Sequence, residues 1–375
     1  MKTVKIAMIG VGSISEIYLE NITKTFKDID LIGLYDVLKD RAESAAEKYN
    51  VPKVYSSLDE ALADPEVDIV LNLTRPYQHY DITKAALLAG KHVYTEKPLG
   101  ATLDEGKELV KLAKEKNLLI CGAPDTFMGA GIQTCRDLID SGKYGKVIGA
   151  AARWATRGHE SWHPDPDFYY QKGGGPMFDM GPYYLTALIN LLGGVSSVCG
   201  MVTKAFDTRT ITGDNVHKGE IIQVNAPTHI NGIMKFDSGV TATITTSFDV
   251  QHSQCPLIEV YMEDATIFVP DPNYFDGPIK VFLPDDSTEE VEKKIHELPL
   301  TFPYNENSRS LGIADMAKAI TTGRRARADY SQILHILEVM EGFTTSSETG
   351  KFVDIENKFT RSQPMDPAFG DGILD

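Results

Sequence analysis

The 375-residue chain is poor in cysteine, with four, and in tryptophan, with two. Cys121, Cys135, Cys199 and Cys255 are scattered and form no C-x-x-C pair, which argues against a zinc site and a disulfide framework. Buried, reduced thiols are the expectation. No run approaches the roughly 18 apolar residues that would span a bilayer. Val4 to Ile9, after Met1-Lys2-Thr3, is too short for the apolar region of a signal peptide. The expected compartment is the cytoplasm, with no membrane partner. Positive charge is also short: 37 Lys and Arg stand against 53 Asp and Glu, a net charge of −16. Phosphate backbones need a basic face, so a nucleic-acid partner is not expected. No internal repeat or heptad array is present.

What is there is an ordinary globular composition, 42% hydrophobic and 24% charged, in a chain long enough for two domains. Val4-Lys5-Ile6-Ala7-Met8-Ile9 reads as a buried strand, and Gly10-Val11-Gly12-Ser13-Ile14-Ser15 follows it before a helical stretch. This is G-x-G-x-x-G/A with Ser15 in the third small position. The first glycine allows a tight turn, the second lets a pyrophosphate approach the backbone, and a small third residue lets helix and strand pack closely. The free N–H groups of the helix then face the phosphates. Leu31 to Asp36 reads as a second strand ending in an acid. Such an acid binds a ribose 2′-hydroxyl and repels a 2′-phosphate. NAD is therefore favoured, while Lys39 and Arg41 nearby leave NADP open. Asp36 has a second candidate role as the cap of the helix Lys39 to Tyr49.

Strand and helix alternate to about residue 122, which specifies a doubly wound parallel (Rossmann) sheet over residues 1–124. Val67 to Leu73 is a near-continuous apolar strand, and Thr74, Arg75 and His79 in the loop after it are candidate cofactor contacts. Arg75 has the rival role of an exposed loop side chain, and His79 that of a capping or packing histidine. His92 to Thr95 is the next strand, ending in Glu96-Lys97-Pro98. Pro98 restricts Lys97 towards an extended backbone. Lys97 then stands at the carboxyl edge of the sheet, where such folds bind ligands.

Residues 125–375 read as an α+β domain with a large, mostly antiparallel sheet. Asp237-Ser238-Gly239 and Glu263-Asp264 are hairpin signals between apolar alternating runs. Arg157 to Tyr170 is a long loop rich in aromatic, His and Pro residues, and long loops inside compact domains are usually functional. Trp162 and His163 are candidate substrate contacts, against the rival reading of a solvated loop pinned by aromatic packing. Met180 to Leu192 reads as a helix, with Asp179 and Tyr183 four apart and so on one face. The expectation for 285–297 is a solvated acidic segment, and for the tail from Phe359 a loose or neighbour-covering strand of chain.

Gly10 to Ser15, Glu96-Lys97-Pro98 and Gly173-Gly174-Gly175-Pro176-Met177-Phe178-Asp179-Met180-Gly181-Pro182-Tyr183 occur in this order. Together they resemble the glucose–fructose oxidoreductase / inositol dehydrogenase / MocA family over the whole chain. Two positions depart from its patterns. Thr74-Arg75-Pro76 stands where many members have T-P-N, and Tyr183 stands where the inositol dehydrogenase branch has histidine. Tyrosine there resembles the glucose–fructose oxidoreductase and dihydrodiol dehydrogenase branches.

The resemblance implies reversible hydride transfer between nicotinamide and a sugar or polyol carbon, with Gly10, Gly12, Ser13, Ile14, Asp36, Glu96 and Lys97 among the cofactor contacts. It also implies a homodimer or homotetramer formed through the open face of the second domain's sheet. Tyr183 is the candidate general acid/base, with Lys97 depressing its pKa and holding the substrate hydroxyl; the reverse assignment is also open. Asp179 would orient the substrate or Lys97, or else cap the helix after it. Two other classes compete: an NAD-dependent glycoside hydrolase working by transient oxidation, and a non-catalytic sugar or NAD sensor on the same fold.

Overall fold

A computed structural model describes residues 3–285, 287 and 289–375. Eleven elements alternate first: β1 (Val4–Ile9), α1 (Ser15–Lys24), β2 (Ile29–Tyr35), α2 (Lys39–Tyr49), β3 (Lys53–Val54), α3 (Leu58–Ala63), β4 (Ile69–Asn72), α4 (His79–Leu88), β5 (His92–Thr95), α5 (Leu103–Lys116) and β6 (Ile120–Gly122). Then come α6 (Ala130–Asp140), β7 (Val147–Ala155), α7 (Pro176–Asp179), α8 (Gly181–Leu192), β8 (Val195–Thr203), β9 (Thr208–Thr210) and β10 (Ile221–Gln223). β11 (His229–Phe236), β12 (Thr241–Ser247), β13 (Ile258–Met262), β14 (Thr266–Val269), β15 (Ile279–Phe282) and β16 (Ile295–Leu298) follow. The chain closes with α9 (Leu311–Thr322), α10 (Tyr330–Thr349) and β17 (Val353–Asp354).

Local chemistry sets several of these limits. Ser57 Oγ caps α3 by accepting from the Glu60 amide at 3.1 Å, and Thr102 Oγ1 caps α5 by accepting from Glu105 at 3.3 Å. Helices α2 and α5 end at Asn50 and Asn117, both left-handed, with φ of 56° and 55°.

The chain divides into two compact units. The first holds the residues up to Ala130 with Thr301–Leu337 and Ser362–Asp375. Its sheet runs β3-β2-β1-β4-β5-β6, all pairs parallel. The order reverses between β1 and β4, the switch point at which such sheets bind ligands. Buried side chains are apolar on both faces of these strands, Ile6, Met8, Ile69 and Leu71 on one and Ala7 and Val70 on the other, as a sheet covered on both sides requires.

The expected boundary at 124/125 differs from this division, because 301–337 and 362–375 cluster with the first unit. The cause is polar as well as apolar. Asp125 Oδ2 accepts from the amides of Ser310 and Gly312, each at 3.0 Å, at the start of α9. Arg327 bonds Asp315 at 2.6 Å and Asp375 at 2.7 Å. The tail is therefore not loose: Met365 and Leu374 are buried, and Tyr304 donates to the Ile373 carbonyl at 2.8 Å.

The second unit comprises Gly131–Leu300 and Glu338–Arg361. Its nine-stranded sheet runs β16-β15-β14-β13-β7-β12-β11-β8-β17. Only β7 and β12 pair parallel; the other pairs are antiparallel. β11 alternates: Ile230, Met234 and Phe236 are buried while Asn231, Ile233 and Lys235 face out. Gly232 lies on the inner face, where a Cβ would stand 2.3 Å from the Phe343 ring of α10, so the position takes only glycine. The acidic stretch 285–297 is only in part a solvated segment, since Ile295 to Leu298 pairs with β15 as an edge strand. Asp286 and Thr288 in it lie outside the described residues.

Candidate active site

In the first unit, Gly10, Asp36, Thr74 and Lys97 all follow parallel strands at one edge of the sheet. Gly10 has φ of 95°, and a Cβ on it would meet the Leu73 carbonyl oxygen at 2.8 Å. A Cβ on Gly12 would meet nothing within 4 Å, so this glycine leaves space beside the turn. Ser15 Oγ donates to the Gly12 carbonyl at 2.7 Å, tying the start of α1 to the turn. A cleft of about 520 Å³ lies here, lined in part by Val11, Gly12, Ser13, Asp40, Arg41 and Lys48. Ser13 is exposed, and so is Ile14.

Asp36 Oδ2 accepts from the Val11 amide at 2.7 Å, and Oδ1 from Leu38 at 2.8 Å. The acid thus stands against the glycine turn. It does not cap α2, whose N-cap is Leu38 with no side-chain bond. A bare second glycine beside a cleft and an acid at the end of β2 fit a dinucleotide with its pyrophosphate on the turn and its ribose towards Asp36.

Asn72, fully buried at the end of β4, organises the next loop and was not singled out by sequence reasoning. Its Oδ1 accepts from Thr74 Oγ1 at 2.6 Å, and its Nδ2 donates to the His79 carbonyl at 3.2 Å. Arg75 is exposed. His79 is buried, with Nδ1 2.7 Å from the Pro98 carbonyl and Nε2 3.0 Å from that of Thr74. Burial pushes its pKa down, against the pull of the two carbonyls. The ring lies between two backbone carbonyls and, neutral, donates to one of them, an arrangement that favours the packing role joining the loops after β4 and β5.

Glu96 is also held by the chain. Its buried carboxylate accepts from Tyr18 Oη at 2.7 Å and from the Lys97 amide at 3.0 Å. It faces the chain and fixes the backbone of half-buried Lys97. The Lys97–Pro98 peptide is cis.

In the second unit, close backbone approach explains the glycine run. A Cβ on Gly174 would stand 2.6 Å from the Tyr169 carbonyl oxygen, and one on Gly175, at φ of 88°, 2.5 Å from that of Pro227. The single helix expected over Asp179 and Tyr183 is broken at Met180. Asp179 ends α7 and Tyr183 lies in the first turn of α8. Pro182, in the first turn of α8, supplies the reason: it has no N–H with which to continue the α7 hydrogen-bond ladder. Asp179 caps neither helix; α8 has no side-chain cap.

Instead, Asp179 Oδ2 lies 2.8 Å from Nε2 of His159, and both side chains are largely buried. His159 is a residue of the Arg157–Tyr170 loop that sequence reasoning passed over. Nothing in the sequence separates it from His163, and only the preceding Gly158, at φ of 95°, marks the turn. Trp162 is 62% exposed and packs edge-on against His159 and His163. His163 Nδ1 accepts from the Asp165 amide at 3.0 Å, and burial lowers the ring's pKa. Tyr183 is buried.

Among the described residues, no group of three or more His, Cys, Asp or Glu side chains could hold a metal ion. No helix among them is long and apolar enough to cross a membrane.

Residues 4–122 match the model of an oxidoreductase family with an NAD-binding Rossmann fold, GFO_IDH_MocA. Residues 132–268 match the GFO/IDH/MocA C-terminal domain. The chain belongs to the GFO/IDH/MocA oxidoreductase family. An uncharacterized oxidoreductase of Schizosaccharomyces pombe is 31% identical over 53% of this chain and 54% of its own. A D-xylose dehydrogenase of Paenarthrobacter nicotinovorans is 30% identical over 51% of this chain and 50% of its own. The chain thus spans about half the length of these curated relatives. A levoglucosan dehydrogenase solved with NADH superposes with a TM-score of 0.79 at 17% identity, covering 95% of this chain and all of that one, which shows a shared fold.

Proposed function

We propose that this family member is an NAD(P)-dependent dehydrogenase acting on a CH–OH group of a sugar or polyol. The observation that carries the reading is the open side of Gly12 beside the cleft, with Asp36 bonded to the same glycine turn. It lies in the segment matching an NAD-binding family. The nicotinamide, when bound, supplies the hydride chemistry.

The chain's own groups do the rest. Gly12 admits the phosphates, with Ser13 and Ile14 beside it, and Asp36 holds the adenosine ribose and favours NAD over NADP. Thr74 and Arg75 flank the cofactor. Glu96 holds the Lys97 backbone, and Lys97 binds the reacting hydroxyl. Tyr183 takes or returns the proton, Asp179 orients the substrate, and Trp162 and His163 contact its ring and hydroxyls. Residues 1–124 serve the cofactor and 125–375 the substrate. Names of similar proteins, a D-xylose and a levoglucosan dehydrogenase, support a carbohydrate substrate. Exposed Met201, Ile233 and Tyr261 on the nine-stranded sheet support a homodimer or homotetramer through its open face. The proposed compartment is the cytoplasm.

The test is a screen of NAD⁺ and NADP⁺ reduction over aldoses, inositols, anhydrosugars and sugar phosphates. Lys97→Met and Tyr183→Phe should each lower turnover about 10²–10⁴-fold, the usual range for acid–base help. Sugar release with no net reduced coenzyme would instead favour redox-assisted hydrolysis, and full activity in both variants would remove the proton assignment.

A further inference from the structure

We propose that His159 is a positioning residue for the reaction: it holds the Asp179 carboxylate through an Nε2–H bond and keeps its own proton throughout. This rests on the dehydrogenase reading above.

The geometry decides which partner orients which. His159 Nε2 stands 2.8 Å from Asp179 Oδ2. Its Nδ1 is buried with no hydrogen-bond partner. Around the ring stand Tyr169, Phe248, Trp162 and Trp154, with centroids 4.3, 4.8, 5.1 and 6.0 Å away. One nitrogen is taken by Asp179 and the other is enclosed by rings, so neither can exchange a proton with a substrate. The imidazole acts only through Asp179. A carboxylate so little exposed needs a donor, and a hydrogen bond to a charged acceptor is the strong kind.

The loop is built to hold this donor still. The His159 amide donates to Tyr170 Oη at 3.2 Å. Arg209 bonds the Arg157 carbonyl at 3.3 Å and Glu160 Oε1 at 2.8 Å, anchoring the residues on either side of the turn. Tyr170 is fully buried in a cluster with Ile211, Ile222, Val224 and Phe248. The aromatic loop therefore acts on the chemistry by fixing the direction of one carboxylate.

The test compares His159→Gln, which keeps a side-chain N–H donor, with His159→Leu, which fills space without one. Both are assayed with NAD⁺ and NADP⁺ against D-xylose, levoglucosan and myo-inositol. Leucine should lower kcat about 10²-fold, the cost of a small misplacement, with little change in KM, and glutamine should restore most of it. Wild-type kcat in the leucine variant, or equal losses in two variants that melt with the wild type, would overturn the proposal. A readout independent of turnover is ¹⁵N NMR of histidine-labelled wild-type protein. The resonance that disappears in His159→Gln should report a hydrogen on Nε2 and should shift in Asp179→Asn; a ring protonated only on Nδ1 would overturn the proposal. An inactive wild type on every substrate would sink the dehydrogenase reading, and the NMR result would still decide the His159–Asp179 pair.

Discussion

Tyr18, from the middle of α1, donates its phenol hydrogen to Glu96 at 2.7 Å, and both side chains are buried. The contact ties the helix behind the glycine turn to the residue that precedes Lys97. Burial and the neighbouring carboxylate raise the Tyr18 pKa well above its ordinary value, so the phenol remains the donor. Tyr18→Phe leaves a buried carboxylate short of one partner. Urea denaturation should show a loss of about 1–3 kcal/mol. An unchanged midpoint would show that Glu96 finds other solvation.

Gly10 and Gly12 should separate by assay. Gly10→Ala forces a Cβ against the Leu73 carbonyl in a left-handed backbone and should cost about 1–3 kcal/mol of stability. Gly12→Ala meets no chain atom, so its melting temperature should match the wild type while its dissociation constant for NAD rises. Calorimetric titration of Gly12→Ala with NAD is the check, and undiminished affinity would move the phosphates elsewhere.

Asp36→Ser should change coenzyme preference. Removing the carboxylate removes repulsion of a 2′-phosphate and one ligand of the ribose. The NAD/NADP ratio of kcat/KM should fall at least about tenfold, the equivalent of about 1.4 kcal/mol. Equal losses with both coenzymes would mean that Asp36 serves only its bonds to Val11 and Leu38.

Asp125 supplies a pH dependence. Burial raises its pKa from 3.8 to about 6, against the Gly312 amide and the Arg309 charge, which lower it. A carboxyl with a raised folded pKa favours the folded state while protonated. Its contribution is present below about pH 4, is lost as pH rises to about 6, and amounts to about 3 kcal/mol. Denaturation of wild type and Asp125→Asn between pH 4 and 7 should show wild type losing stability relative to the variant by about that amount. A constant difference would show that the two amide bonds hold Asp125 ionised.

Much of the first unit was legible because parallel strands write themselves as apolar runs between glycine, asparagine and acid signals. β1, the glycine turn, α2 and β5 lie within a residue or so of where their residues predict them. Gly10 needs its conformation whatever surrounds it, and Thr102 and Glu105 mark the start of α5 by local bonding. The break at Met180 was also written locally, in Gly181-Pro182, but helical spacing from Asp179 to Tyr183 obscured it.

The sequence by itself determined the alternating sheet, the glycine-rich turn and the family, because these rest on short-range backbone rules and contiguous motifs. Only the tertiary structure decided what the polar side chains do. His79 sits between two carbonyls, Glu96 accepts from Tyr18, Asn72 holds the Thr74 loop and His159 meets Asp179. It also brought the closing segments 301–337 and 362–375 to the first unit. A buried hydrogen bond joins residues far apart in the chain, and no local spacing encodes which donor will meet which acceptor.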